Sequence, residues 1–212
     1  MLNAVPFILA GVPLTLWISL AALTIGFAIG LPIGILRTSH FRLLNAVLGL
    51  YVEIFRNTPV LVQIVWFYYV LPIFIHLDIA AVDAGIIALG LNTSAYLAEI
   101  FRGGIIGTAA GQSEAAFSLG FTSVGTMQYV VLPQVARKML APFINQFVVL
   151  VKDSALVAYI GVLDIMHRGD VVTVQTSRPL EVYTTVAIAY FVLCFVASKL
   201  TGWIEVRFAI PQ

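Results

Sequence analysis

Long apolar stretches separated by short polar ones set the pattern of this chain. No ionisable side chain occurs from Leu2 to Leu36, which is longer than the roughly 20 residues that cross a bilayer core. We interpret this stretch as one span with an interfacial lead-in. Further apolar runs predict spans over about 43–75, 81–101 and 182–200, and after Pro133. The pattern predicts an all-α, polytopic transmembrane helical bundle of five spans in a single domain, residues 1–212.

The second apolar run is too long for one straight span at about 1.5 Å per residue. Its sequence Asn57-Thr58-Pro59 combines a capping residue with a proline suited to a first helical turn. We therefore predict one helix over about 43–56 and another over about 59–75. Glu53 and Arg56 share a face just before the break, where they could form an interfacial ion pair or part of a gate.

Three glycines lie four residues apart in the first span, at Gly26, Gly30 and Gly34. Small residues at this spacing let helices approach closely. We expect the stripe to pack within the chain, and a dimer seam is the alternative.

Composition places the chain in a membrane. The sequence is 61% hydrophobic and 10% charged, with a mean hydropathy of +1.03, whereas soluble domains carry roughly 25% charged residues. A net charge of +1 without a basic block gives no sign of a nucleic-acid partner. The positive segment of a cleavable signal is missing, since no Lys or Arg precedes Arg37.

Candidate metal and nucleotide sites are missing from the pattern. Cys194 is the single cysteine, and the three histidines fall in three different predicted loops, so we expect no metal site. No P-loop sequence occurs, so we expect no ATP site on this chain. An intramembrane hydrolase is disfavoured because no HExxH motif occurs.

Polar residues interrupt the third span near its middle, at Asn92, Thr93 and Ser94. Such residues face a bundle interior or a water-filled cavity, so they either join helices or line a pathway. Glu99 and Arg102 are three apart near the other end of the span, and Gly103-Gly104 is expected to loosen the exit from the helix.

Lys152 and Asp153 form a deep, adjacent pair of charged residues. Lys152 lies 14 residues beyond Lys138, about 21 Å along a helix, so it cannot lie at the interface where the span enters the membrane. Adjacent helical residues point in different directions, so each needs a further partner or the helix is interrupted there. Mutual neutralisation is one interpretation, and a substrate or gating role is the other.

The stretch from Gly111 to Pro133 is only half apolar. Gly120 suits a left-handed helix end, and Thr122 or Ser123 suits the cap of a second short helix, which we expect to stop before Pro133. The local sequence therefore predicts a short helix, a corner at Gly120 and a second short helix. The corner either binds a partner or is a compact loop without one.

Residues in this stretch match a family signature. Glu114-Ala115-Ala116, Gly120, Val130 and Leu132-Pro133 reproduce the EAA spacing of ATP-binding-cassette importer permeases, with Val130 where isoleucine is more common. Other segments resemble the polar-amino-acid branch of that family: EIFRNTPVLVQ, AYLAEIFRGGI, GQSEAAFSLG, LPQVARKMLAPFINQ and KDSAL. The resemblance runs from about Gly11 to near the C-terminus.

The resemblance implies a type I permease subunit, not an enzyme, that imports a polar amino acid. Its EAA loop, about 109–133, is implied to dock on an ATPase subunit dimer that hydrolyses ATP with Mg²⁺. A second permease chain, identical or homologous, and an extracytoplasmic amino-acid-binding protein are implied partners. The residues expected to couple to the ATPase are Gln112, Glu114, Ala115, Ala116, Phe117 and Gly120.

The predicted depth of polar residues in the membrane and the chemistry of their side chains suggest further candidates for contact with the solute. Asp153 suits the ammonium of an amino acid, Asn92, Ser94 and Ser154 suit its carboxylate, and Glu99 lies nearer the cytoplasmic end. Gate or ion-pair candidates are Glu53, Arg56, Arg102 and Lys152. The KDSAL run lacks one hydroxyl of the usual KDTSL-like run. An ion-driven secondary amino-acid transporter, with Lys152-Asp153 as a proton relay, is the alternative function.

Basic residues are unequally divided between the two ends of the predicted spans. The side opposite the corner holds Arg168 and Arg178, and the corner side holds Arg37, Arg42, Arg102, Arg137, Lys138, Lys199 and Arg207. The positive-inside rule therefore predicts a cytoplasmic corner, an outside N-terminus and a cytoplasmic C-terminus in a bacterial inner membrane.

Overall fold

The computed structural model describes the backbone of residues 4–208 and the side chains of that range apart from 108–110 and 201–208. Each regular element in this range is helical, which confirms the all-α class. The α-helices are α1 (Ala4–Leu9), α2 (Val12–Leu36), α3 (Arg42–Asn57), α4 (Val60–Val65), α5 (Leu71–Ile75), α6 (Ala81–Ser118), α7 (Ser123–Gly125), α8 (Leu132–Asp153), α9 (Ile165–Thr176) and α10 (Pro179–Phe208). Two π-helical turns, Trp66–Val70 and Thr126–Val131, and a 3-10 turn, Ser154–Ile160, connect some of them.

Four stretches of the described chain are long and apolar enough to cross a membrane: Ala4–Leu36, Ala81–Gly107, Ser123–Ile160 and Pro179–Leu200. The fifth predicted span is a bent pair, Arg42–Asn57 and Val60–Ile75, whose halves differ in direction by 103°. The break falls at Thr58-Pro59, as the sequence predicts. Five spans result when the bent pair is counted as one.

The glycine stripe of α2 packs on α6. A Cβ added at Gly26 would lie 2.8 Å from Cγ2 of Thr93, and one added at Gly34 would lie 2.7 Å from the carbonyl oxygen of Ala98. Gly30 approaches the same helix equally closely. The prediction of packing within the chain is confirmed, and the stripe is covered rather than free to form a dimer seam.

Helix α6 is longer than predicted. It passes through Gly103-Gly104 without a break and ends at Ser118, so the first helix of the corner is the last part of α6. The predicted loosening is wrong because Gly104 serves close packing: an added Cβ would lie 2.8 Å from the Met139 side chain of α8. At about 1.5 Å per residue its 38 residues extend about 57 Å, well beyond a bilayer core.

The expected stop before Pro133 is also wrong. Helix α7 runs into the π-helical turn Thr126–Val131 and then into α8. The wider turn shifts the hydrogen-bond register, so that Pro133 falls in the first turn of α8. A proline is tolerated there because the first helical positions need no intrahelical N–H donor.

The core lies where α2, α4, α6, α8 and the 3-10 turn meet. Its fully buried side chains include Ile18, Ile64, Leu89, Leu150 and Val157. Lipid tails are as apolar as these side chains, so close packing stabilises the bundle more than removal from solvent does.

The polar segment from Asp164 to Glu181, which precedes the last predicted span, is largely helical. Helix α9 packs with α1 and the start of α10 through Ile8, Ile165 and Val182, which are fully buried. Helix α10 continues beyond residue 200, where the last predicted span ends, and the side chains of Glu205 and Arg207 lie outside the described residues. Since α6 and α8 meet at the Gly120 corner, α9 lies at the opposite end of the bundle, beside the 3-10 turn.

Candidate functional site

The corner between α6 and α7 turns at Gly120. This glycine has φ of +84°, in the left-handed region that favours glycine. Its N–H donates to the carbonyl of Phe117 at 3.0 Å, and the Phe121 N–H donates to the carbonyl of Ala116 at 3.1 Å. These two bonds form a Schellman motif, so the predicted glycine corner is confirmed.

Further hydrogen bonds hold the two sides of the corner. Thr122 is the cap of α7, because its Oγ1 accepts from the Gly125 N–H at 3.1 Å. Gln134 of α8 donates its Nε2–H to Oε1 of Gln112 at 3.1 Å, across the corner. The corner is therefore a bonded turn between two long helices.

The coupling candidates divide into exposed and buried residues. Glu114 and Ala115 are exposed, and Phe117 is 49% exposed. Ala116 is 3% exposed, so it packs within the chain instead of adding to an exposed docking face. The prediction treated Ala115 and Ala116 alike, although consecutive helical residues point in different directions.

Three exposed apolar residues of the corner were missed. Leu119 is 79%, Phe121 40% and Val124 74% exposed. We call Glu114, Ala115, Phe117, Leu119, Phe121 and Val124 the corner face. Exposed apolar side chains grouped at a turn between two spans form a candidate interaction site, and their presence in this half-apolar stretch was the available signal.

An ion cluster joins α2 to α6. Arg102 Nη2 lies 2.8 Å from Glu99 Oε2, and Arg37, which caps the end of α2, pairs with the other carboxylate oxygen. Glu99 and Arg102 thus form the pair that their spacing suggested. Glu99, a pathway candidate, is held by two guanidinium groups of its own chain.

Glu53 and Arg56 do not form the predicted pair. Within the described part of the chain, the ion pairs all involve Glu99. Glu53 accepts instead from the Asn57 side-chain amide, while the Arg56 guanidinium lies 5.4 Å from the ring centre of Tyr96 on α6. Packing of α3 on α6 brings this aromatic face within reach, which spacing along α3 alone does not show.

The polar residues of the third span are buried, and Asn92 and Ser94 form hydrogen bonds. Asn92 Nδ2 donates to the Phe55 carbonyl at 2.8 Å and to Gln63 Oε1 at 3.2 Å. Ser94 Oγ lies 2.6 Å from the Tyr51 hydroxyl. In this structure the two candidates join α6 to the bent pair, as the helix-joining interpretation requires.

Lys152 and Asp153 lie where α8 ends. Lys152 is exposed and Asp153 is half-buried, and neither forms an ion pair with another described side chain. A 3-10 turn begins at Ser154, so of the two alternatives the structure shows the interrupted helix. Ser154 is fully buried and donates to the Val151 carbonyl at 2.7 Å.

Asp164 is a buried carboxylate that the sequence interpretation passed over. It is fully buried, caps α9 by accepting from the His167 N–H at 2.8 Å, and accepts from the Tyr190 hydroxyl at 2.9 Å. Burial raises the pKa of this carboxyl, and the two hydrogen bonds oppose the shift. An aspartate directly before an apolar helical pattern was the available signal. Its carboxyl links α9 to α10.

Metal ligation has no support among the described residues, where no group of three His, Cys, Asp or Glu side chains could hold an ion.

Comparison with known proteins agrees with this architecture. The family described as "Binding-protein-dependent transport system inner membrane component" matches residues 22–210. The chain is 35% identical to the glutamine transport system permease protein GlnP of Escherichia coli (strain K12), covering 98% of this chain and 95% of the relative. It is 37% identical to the probable glutamine ABC transporter permease protein GlnM of Bacillus subtilis (strain 168), covering 91% and 89%.

A solved structure supports the same assignment. The crystal structure of an amino acid ABC transporter with histidines contains a chain that is 38% identical and superposes with a TM-score of 0.91, covering 98% of this chain and 96% of that one. The chain therefore belongs to the family of binding-protein-dependent transport system inner membrane components, as a multi-pass ABC-transporter permease.

Proposed function

We propose that this permease imports a polar amino acid and is driven by an ATPase that docks on the corner face. The observation that carries the proposal is the bonded Gly120 corner with exposed apolar side chains at the end of α6. The same helix carries Asn92 into the bundle interior. A partner that moves the corner therefore moves a helix of the core.

Docking would rest mainly on apolar burial. Covering a Leu or Phe side chain contributes about 1.5–3 kcal/mol, and Leu119 and Phe117 are both available for it. Glu114 adds a charge that would pair with a basic residue of the ATPase. Such an ion pair contributes less binding free energy than the apolar contacts as long as it stays exposed to solvent. Gln112 supports the corner through Gln134.

The proposed cycle is alternating access. ATP binding on an ATPase dimer, with Mg²⁺ on those subunits, closes the dimer and shifts both helices that flank the corner, α6 and α8. A second permease chain completes the pathway, and rigid-body movement opens it to one side and then the other. An extracytoplasmic binding protein delivers the solute at the end of the bundle near α9.

The solute class is supported by the relatives. Two of them are named as glutamine permeases, and the solved structure is described as an amino acid transporter with histidines. Asp153 is the candidate we place first for the solute ammonium, because it is half-buried at a helix interruption and has no ion pair within the described chain. Lys152 and Ser154 lie beside it.

The other pathway candidates already have partners. Asn92, Ser94 and Glu99 are bonded within the chain, so a solute would have to compete for them. For membrane placement we propose a cytoplasmic corner and an outside N-terminus, which the excess of Lys and Arg on the corner side supports.

Transport in proteoliposomes tests the function. The permease, co-expressed with its ATPase and reconstituted with its binding protein, is expected to accumulate labelled glutamine or histidine only when ATP is present on the corner side. Glu114→Lys should uncouple ATP hydrolysis from uptake. Uptake that follows a proton gradient without ATP would favour the secondary-transporter alternative and overturn the proposal.

A further inference from the structure

The break in the bent pair leaves backbone groups without helical partners. Helix α3 ends at Asn57, and Pro59 has no N–H to donate. The last carbonyls of any α-helix lack intrahelical donors, and inside a membrane protein each needs a replacement. The chain must therefore supply donors at this position.

Side chains supply them. Gln63 Nε2 donates to the carbonyls of Phe55 at 2.8 Å and Thr58 at 3.1 Å. Asn92 Nδ2 of α6 donates to the same Phe55 carbonyl at 2.8 Å. The Thr58 hydroxyl donates to the Ile54 carbonyl at 2.8 Å. Gln63 is 7% and Asn92 4% exposed, so these bonds lie in the protein interior.

The two amides also bond to each other. Asn92 Nδ2 lies 3.2 Å from Gln63 Oε1, so both N–H groups of Asn92 have acceptors within the chain. We call Gln63 and Asn92 the amide pin. Two contacts farther along α6 extend the attachment of α3: Ser94 with Tyr51, and Tyr96 with Arg56.

We infer that the amide pin positions the bent pair on α6 and carries movement of the corner into the bent pair during transport. Helix α6 runs unbroken from Asn92 to the corner face, so a displacement of the corner reaches the pin through one helix. Gln63 and Asn92 are positioning residues. This inference rests on the proposed ATP-driven function, and it assigns Asn92 a role other than contact with solute.

The test compares three variants of the assembled transporter. Asn92→Leu and Gln63→Leu remove the donors, whereas Thr93→Val is a buried, nearly isosteric control one residue away that keeps the methyl group packed against Gly26. In proteoliposomes the ratio of ATP hydrolysed to solute transported should rise at least fivefold for both pin variants, with the KM for solute within twofold of wild type. Thr93→Val should keep the wild-type ratio.

A swapped variant separates positioning from folding. Gln63→Asn combined with Asn92→Gln keeps two amides across the same gap, and we expect its ratio to return to within about twofold of wild type. Hydrogen exchange at residues 54–58 should speed up in Asn92→Leu and Gln63→Leu and not in Thr93→Val. If Asn92→Leu does not assemble, Gln63→Leu alone tests the inference. In that variant Asn92 still donates to the Phe55 carbonyl, so the transporter is expected to assemble.

Two results would overturn the inference while leaving the proposed function intact. One is a wild-type ATP-to-solute ratio in both pin variants. The other is an increased KM for solute in Asn92→Leu at an unchanged ratio, which would make Asn92 a solute contact. Failure of the proposed function is recognised separately, as wild-type uptake without ATP.

Discussion

Replacing Gly120 by alanine isolates the backbone requirement of the corner. Among the described residues, no heavy atom lies within 4 Å of a Cβ added there, so the new methyl group makes no steric clash with them. The cost comes from φ of +84°, since a left-handed conformation costs an L-residue about 1–2 kcal/mol. Gly107→Ala is the matched control: its added Cβ also has no described heavy atom within 4 Å, but the residue lies inside α6.

The two substitutions should have opposite effects on stability: Gly120→Ala should destabilise the corner, and Gly107→Ala should stabilise α6. Alanine in a helix interior stabilises by about 0.5–1 kcal/mol relative to glycine, so Gly107→Ala should not weaken the corner. At 1.4 kcal/mol for each factor of ten, Gly120→Ala should open the corner about 5- to 30-fold more often. The control variant should leave that opening unchanged.

Hydrogen exchange measures this opening directly. The amides of residue 120 and Phe121 donate the two bonds of the Schellman motif, so their protection should fall by the same factor in Gly120→Ala. Coupled transport should fall with it. Equal protection in the two variants would show that left-handed geometry is not what maintains the corner.

Three further predictions follow from packing, burial and exposure. Gly30→Ala should destabilise the bundle by about 1–3 kcal/mol in thermal unfolding in detergent, because the new Cβ would lie 2.7 Å from a backbone oxygen of α6, whereas Gly103→Ala, with open space around it, should not. Asp164→Ala should cost about 2–3 kcal/mol through the lost cap and the lost hydroxyl partner, while Asp164→Asn, which keeps the cap, should lie within about 1 kcal/mol of wild type. The raised pKa adds a pH signature: wild-type unfolding free energy should fall as pH rises above the ordinary carboxyl pKa, a slope that Asp164→Asn lacks. Leu119→Glu should weaken ATPase binding in pull-down titrations by about 10- to 100-fold, and Val174→Glu, equally exposed on α9, should leave it unchanged.

Local chemistry explains why parts of the fold were predictable. Pro59 cannot continue the hydrogen-bond ladder, so the break in the second span follows from that residue and its neighbours. Gly120 admits a left-handed turn that other residues resist, and Thr122 brings its own capping oxygen. An interruption at Lys152-Asp153 was one of two alternatives, because adjacent charged residues on a continuous helix point in different directions. Each inference depends on a few consecutive residues.

Two of the wrong predictions have a different origin. Gly103-Gly104 predicts a weak point locally, yet the Met139 side chain of α8 packs against Gly104 and the helix continues. Arg56 reads as a partner for Glu53, but α6 presents the ring of Tyr96 instead. The partners in these cases come from other helices, which sequence spacing does not place.

By itself the sequence determined the all-α membrane class, the break, the corner and the family signature, because composition and backbone chemistry act over short stretches. Only the tertiary structure decided that Glu99 is held by two arginines, that Asp164 is buried between α9 and α10, and that Asn92 and Gln63 satisfy the carbonyls freed at Pro59. Those contacts join residues up to 62 positions apart. These hydrogen bonds and ion pairs can form only after close packing of the small residues has brought the helices together.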